Sequence, residues 1–220
     1  SDVYKRQVLK YYINREIDLN TEKSNMEDLF NLIEKQDSID QLMAIEGNIK
    51  QEYYKTFNKI ISSDEMEFEK RVKRPPDNEV NALISFANSL VYSTVLCEIY
   101  KTHLDPRIGF LHTSNFRRFS LNLDFAEIFK PILADRLIFR VLNKKMITSS
   151  DFEKNMKGIL LKEKGRKIFV EQFDQNLKTT ISVKNIGNKV SYRRLIRLEL
   201  YKLEKHLMGE KEYKPYISEW

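Results

Sequence analysis

In PRIGFLHTSNFRRFSLNLDFAEIFKPILADR, residues 106 to 136, His112, Asp124 and Glu127 are side chains able to bind a divalent cation together. After the histidine, apolar residues at Leu123, Ala126, Ile128, Phe129, Ile132 and Leu133 have the three-to-four spacing of a helix with one buried face. Ser120 stands where its N-cap is expected. On that helix Asp124 and Glu127 are i and i+3, so their carboxylates project from one side about one turn apart. Two like charges so placed are costly to bury unless a cation lies between them. His112 follows Pro106 and Gly109, in a segment able to fold back over the first turn and supply a nitrogen. One imidazole with carboxylates suits magnesium or manganese, and the nitrogen favours manganese. A plainer reading also fits: Asp124 as a first-turn acid favoured by the helix dipole, and Glu127 as an i+3 partner of Lys130.

Helices must position these groups. The chain has 220 residues, with only six glycines and five prolines, and long stretches of Leu, Ile, Lys and Glu favour an all-α architecture in a single domain over residues 1–220. Helical patterns run over residues 3 to 19, 24 to 35, with Ser24 and Glu27 as a capping box, and 39 to 61. The third has a stripe of Leu42, Ile45, Ile49, Tyr53 and Phe57; Glu46 lies beside it, next to Gly47 and four residues before Lys50. A partly buried carboxylate there needs a partner. SSDEMEFEKRVKRPPDNE reads as a loop, and residues 79 to 101 as a core helix without the length of uninterrupted apolar residues that a membrane span needs. Pro131 kinks or breaks the central helix, which resumes to Leu142. Residues 150 to 161 suggest a small irregular excursion and 178 to 190 a flexible basic loop. The last helix, from Ser191, turns Leu195, Leu198, Tyr201 and Leu203 or Leu207 inward, and Arg193, Arg194, Arg197 and Lys202 outward. The one cysteine, Cys97, cannot form an internal disulfide and suits a reducing, cytoplasmic setting.

GFLHT, Arg118, Ser120, Leu121, Asp124, Glu127, Phe129-Lys130-Pro131 and Asp135-Arg136 together resemble the core signature of the CRISPR-associated Cas-one family of adaptation integrases. MAIEGNIKQEYY, RPPDNEVNALISFANSLVY, KVSYRRLI and YKPYISEW resemble further blocks of that family, in the family's order. The resemblance implies a metal-dependent DNA endonuclease and integrase that inserts short spacers into a CRISPR array by attack of a DNA 3′ hydroxyl. Its metal, Mg²⁺ or Mn²⁺, would be held by Glu46, His112 and Glu127, with Asp124 as a fourth ligand or a second-shell acid and Asn81 hydrogen-bonding a ligand carboxylate or a phosphate. Apart from the resemblance, Asn81 reads equally as a buried asparagine satisfying backbone groups. The chain departs from the family in Lys130, where arginine is usual, in Phe119, where proline is frequent, and in showing no match to the family's β-rich N-terminal domain. The opening SDVYKRQ, residues 1–7, resembles translated adapter read-through and carries little weight as natural sequence.

The net charge of +6 is uneven. From residue 150 onward there are sixteen Lys and Arg against ten Asp and Glu, so the excess lies in the basic C-terminal part, 150–220. Basic residues around an acidic site suit a nucleic-acid substrate, because they hold phosphates that the carboxylates repel. Phosphate contacts are expected from Arg74, Arg107, Arg118, Lys130, Arg193 and Arg194, with Ser120 either capping its helix or touching phosphate. The expected partners are double-stranded DNA, a second copy of the chain and the smaller adaptation protein Cas-two, with no membrane. A non-catalytic helical DNA-binding module and a metal nuclease outside CRISPR adaptation are the alternatives.

Overall fold

The computed structural model describes residues 2–63, 66–111, 119–156, 158–183 and 186–216. Its axis is α5 (Glu79–Ile99), which Asn78 caps by accepting the Asn81 N–H at 2.8 Å. Val80, Leu83, Ile84, Ala87, Val91, Val95 and Ile99 are buried along it. By length and composition α5 is apolar enough to cross a bilayer, contrary to the sequence reading, with a mean hydropathy of 1.5. In this fold it is the central helix, and α6 (Ser120–Lys130), α7 (Arg136–Asn143) and α9 (Tyr192–Leu207) pack against it.

α1 (Asp2–Ile13), α2 (Asn20–Asn31), α3 (Ile39–Lys55) and the short α4 (Phe57–Ile60) form the front of the domain. Ser38 caps α3, accepting the Gln41 N–H at 3.3 Å. The expected Ser24–Glu27 capping box is absent because α2 begins earlier, at Asn20, which leaves Ser24 inside the helix. Lys5 is buried and the Arg6 guanidinium lies 4.1 Å above the Phe30 ring, so the segment discounted as adapter-like packs on the body. Phe57 meets Phe139 of α7 edge to face at 4.7 Å, joining the front layer to the core.

Pro131 sets the shape of the central helix. Lacking an N–H, and with a ring that crowds the carbonyl four residues back, proline does not continue an α-helix cleanly. The chain takes a π turn, Pro131–Asp135, whose five residues are all buried and which closes with the Arg136 N–H on the Pro131 carbonyl. α7 follows with Leu137, Ile138, Phe139, Val141 and Leu142 buried.

The all-α expectation is corrected at two places. β1 (Phe152–Asn155) and β2 (Gly158–Leu161) pair antiparallel, Phe152 opposite Leu161. β3 (Thr180–Val183) and β4 (Ile186–Ser191) do the same where a flexible loop was expected, Thr180 opposite Ser191. α8 (Glu163–Lys178) lies between the hairpins. Gly158 has φ +96°, and a Cβ there would lie 2.5 Å from the Pro76 carbonyl oxygen, so the first hairpin tucks against the Pro75–Pro76 loop only with glycine. The Ile159 N–H to Pro76 carbonyl bond, 3.0 Å, fixes that contact.

Candidate metal centre

α3 and α6 bring Glu46 and Glu127 to one cation. The Lys50 ammonium lies 2.8 Å from Glu46 Oε1 and 3.0 Å from Glu127 Oε2. Lys130 pairs with the other oxygen of Glu127, Oε1. It is held there by donating to the Tyr92 hydroxyl at 2.6 Å, with its ammonium 4.4 Å from the centre of that ring. Burial disfavours the ionised form of Glu127, but Lys130 and then Lys50 outweigh it and hold the carboxyl down at about 2. Burial likewise opposes the charge on Lys50, and Glu127 and Glu46 more than restore it, raising its pKa. Glu127 is therefore a permanent carboxylate at neutral pH.

Behind this pair Asp135, on the π turn, is buried and behaves in the opposite way. Burial pushes its carboxyl up to about 7, and Tyr53, Lys5 and Lys130 offset that only in part. A cavity of about 20 Å³, lined by Lys5, Lys50, Tyr53, Tyr54, Asn88, Glu127, Lys130, Pro131 and Asp135, connects the two acids. Among the described residues, Asn88 Oδ1 is buried there without a hydrogen-bond partner.

The other expected site residues are placed elsewhere or tied down. Asp124 lies in the second turn of α6, not the first, and its Oδ2 accepts the backbone N–H groups of Phe110 at 2.6 Å and Leu111 at 3.1 Å. Ser120 is not the N-cap, since α6 starts on it with Phe119 in the capping position. It is fully buried, accepts the Gly109 N–H at 2.9 Å and donates to the Arg107 carbonyl, which leaves it no access to a phosphate in this conformation. Gly109 makes this seam possible, because a Cβ there would lie 2.5 Å from Asp124 Oδ2 and 2.7 Å from the Ser120 backbone.

Asn81 meets neither glutamate in its hydrogen bonds. Its amide closes the 70–78 loop, donating to the Lys70 carbonyl and Asp77 and accepting from the Val72 N–H and from Arg71 at 2.9 Å. A buried amide with every polar group satisfied in this way holds a loop in place. Lys130 belongs to the glutamate pair, as above. Arg74 is exposed on the same loop, and Arg107 is exposed and paired with Asp105 at 2.7 Å. Arg193 and Arg194 are exposed on α9, Arg193 lying 3.9 Å from Asp174. Arg197, expected outward, instead donates to buried Glu98 at 2.7 Å. His112 and Arg118 lie outside the described residues.

Sequence reasoning missed Tyr92, Asn88, Arg71 and Lys73. The Lys73 pKa is lowered by partial burial and then by the like charges of Lys50, Arg71 and Lys130. Lysines in the KRVKR run, next to RPP, were the available signal.

Two carboxylates from different helices facing one cation position, with further basic groups alongside, fit a hard divalent metal bound through oxygen. Among the described residues no group of three His, Cys, Asp or Glu side chains forms a metal cluster, and the third donor implied by resemblance, His112, is outside them. The fold and centre define a helical domain with a paired-glutamate site. The chain belongs to the family described as CRISPR associated protein Cas1, whose model matches residues 4–175. It is 54% identical over 215 residues to a CRISPR-associated endonuclease Cas1 2 of Thermodesulfovibrio yellowstonii, covering 98% of this chain and 65% of that one. The solved Cas1 protein of Thermotoga maritima superposes with TM-score 0.81 at 41% identity, over 98% of this chain and 65% of that one. A casposase bound to integration product shares the fold, with TM-score 0.87 at 22% identity over 99% of this chain and 62% of that one. The chain thus spans a little under two thirds of the length of these proteins.

Proposed function

We propose that this chain is the helical catalytic part of a divalent-metal-dependent DNA endonuclease and integrase of CRISPR adaptation. The observation that carries the reading is the convergence of Glu46 and Glu127 on a single cation position, 2.8 and 3.0 Å from Lys50 Nζ, in a chain of the Cas1 family. The names of its relatives, an endonuclease and a casposase on an integration product, support the same reaction class. Glu46 and Glu127 would hold the metal, with His112 as the nitrogen donor the resemblance implies.

A divalent metal bound there supplies Lewis-acid stabilisation of the charge that builds on the scissile phosphate. Within the chain, Glu127 stays ionised across the neutral range and needs no proton removed before binding a cation. Tyr92 fixes the Lys130 ammonium beside Glu127. Lys73 and Arg74 on the 70–78 loop, and Arg193 and Arg194 on α9, are exposed cations available to DNA phosphates. The nucleophile is a DNA 3′ hydroxyl in integration and water in cleavage, so the protein contributes no covalent step. Joining both ends of a spacer takes two such centres, which calls for at least a dimer on DNA, with the smaller adaptation protein Cas-two as the bridging partner the family implies.

The test is strand transfer and cleavage with Mn²⁺, Mg²⁺, Ca²⁺ or excess chelator. Mn²⁺ should support both at least as well as Mg²⁺, Ca²⁺ should support neither, and Glu46→Ala, Glu127→Ala and His112→Ala should each remove activity while the protein stays folded by circular dichroism. Full activity in chelator, or folded Glu127→Ala at the wild-type rate, overturns the assignment.

A further inference from the structure

We propose that Lys50 is a tethered counterion that competes with the divalent metal for the position between Glu46 and Glu127. The inference rests on the metal reading above and concerns how that site is regulated. Lys50 sits on α3 one turn after Glu46, so its four-carbon stem reaches Glu46 along its own helix and Glu127 across the interface with α6. Its ammonium contacts one oxygen of each carboxylate, and the second oxygen of Glu127 is taken by Lys130. The side chains of Glu46 and Glu127 are 17% and 15% exposed, that of Lys50 28%. Two carboxylates this sheltered repel each other strongly without a cation between them. The lysine supplies that cation from within the chain, so the two helices dock before any metal is present.

A divalent ion that uses both glutamates must enter where the ammonium now lies, and a positive charge left a few ångströms from the metal opposes its binding. Lys50 therefore has two states: between the glutamates in metal-free protein, and swung toward solvent when metal is bound. In the second state its flexible stem places an extra cation at the mouth of the centre. Metal affinity is set by the contest between a fixed, intramolecular ammonium and a free ion, which makes the site weak until a second ligand draws the lysine away. A DNA phosphate is such a ligand, since it binds an ammonium directly.

Mn²⁺ binding to metal-free protein, followed by loss of the free-ion electron paramagnetic resonance signal, reads this without turnover. Lys50→Met should bind Mn²⁺ at least tenfold more tightly than wild type, and Lys50→Arg, which keeps the charge, should stay within about threefold. Lys59→Met, whose lysine pairs with Glu22 away from the centre, should leave binding unchanged. In thermal melts Lys50→Met should unfold below wild type without metal and gain more from saturating Mn²⁺. If Lys50→Met does not fold, Lys50→Gln carries the same comparison with a neutral donor in place of the ammonium. Equal or weaker Mn²⁺ binding by the folded neutral variant overturns the competition. Absence of saturable Mn²⁺ binding from wild type and the neutral variants alike overturns the metal reading itself, and the competition with it.

Discussion

Replacing Arg197 by alanine should damage folding and leave DNA affinity's salt dependence intact, the reverse of what its place among the α9 arginines suggests. Arg197 Nε donates to Glu98 Oε2 at 2.7 Å, and the Glu98 side chain is fully buried on α5, the central helix. Removing one partner of a buried ion pair leaves an uncompensated charge and costs about 3–5 kcal/mol. Here Lys101 stays on Glu98 Oε1 at 2.7 Å and the Arg197 side chain is 25% exposed, so the cost falls below that range, to about 2–3 kcal/mol. For a domain of this length that is a fall in melting temperature of about 5–10 °C. The sign with pH follows from Glu98: burial raises its carboxyl, but hydrogen bonds from Arg197 and Lys101 win and hold its folded pKa below the ordinary value. The pair's stabilisation is thus present above the unfolded pKa, about 4.3, and is lost as pH falls through the lower folded pKa. The gap between wild type and Arg197→Ala should be full at pH 7 and shrink in acid. Thermal melts at two pH values and a salt titration of DNA binding measure both halves. A variant that melts with wild type but whose log affinity against log salt is flatter by about 0.9 would mean that Arg197 meets phosphate, and the buried-pair reasoning would fail.

Arg193→Ala with Arg194→Ala should do the opposite, changing stability little and flattening the salt slope by up to about two if both touch phosphate, with no change in preference between repeat and random DNA. Asp135→Asn should stabilise the protein more at pH 8 than at pH 5: the folded pKa of about 7 exceeds the unfolded value of about 3.9, so the wild type loses stability as pH rises between them and the amide does not. Denaturant titrations that give the same difference at both pH values would refute burial as the cause. Gly109→Ala should cost about 1–3 kcal/mol, because its methyl meets backbone atoms of Ser120 and Leu121 at 2.7 and 2.8 Å that cannot swing aside, and hydrogen exchange at Phe110 and Leu111 should speed up.

Much of this fold was readable because helices announce themselves by spacing. The starts of α3 at Ile39, of α5 at Glu79 and of α9 just after Ser191 all stand where the pattern placed them. The face of α9 was misjudged for a physical reason: its buried stripe is Tyr192, Leu195, Ile196, Glu199, Leu200 and Leu203, and it includes a carboxylate. Glu199 is tolerated there because Lys202, the Tyr213 hydroxyl and the Tyr216 N–H satisfy it, two of them from a tail far along the chain. No local pattern reports such partners. In the second hairpin the signal was present and outweighed: Thr180, Ile181 and Val183 favour strand, but the polar, glycine-bearing segment after them read as loop. At the centre, Glu46 with Lys50 was legible as an i+4 pair, whereas the reach of Lys50 to Glu127 depends on how α3 docks on α6. Asn81 was legible as an amide that serves the site or one that satisfies backbone groups; its hydrogen bonds go to loop residues 70 to 77, which spacing on its own helix does not report.

The π turn at Pro131–Asp135 also makes the chain intolerant of a change in length there. Each residue advances an α-helix by about 100°, so deleting one residue between 131 and 135 would turn α7 by about that angle relative to α6. Leu137, Phe139 and Val141 would leave the core while Glu127 stayed in place. An alignment of related chains should therefore run without gaps from Glu127 to Leu142. Insertions should gather instead at exposed sites such as Met156, at the end of the first hairpin.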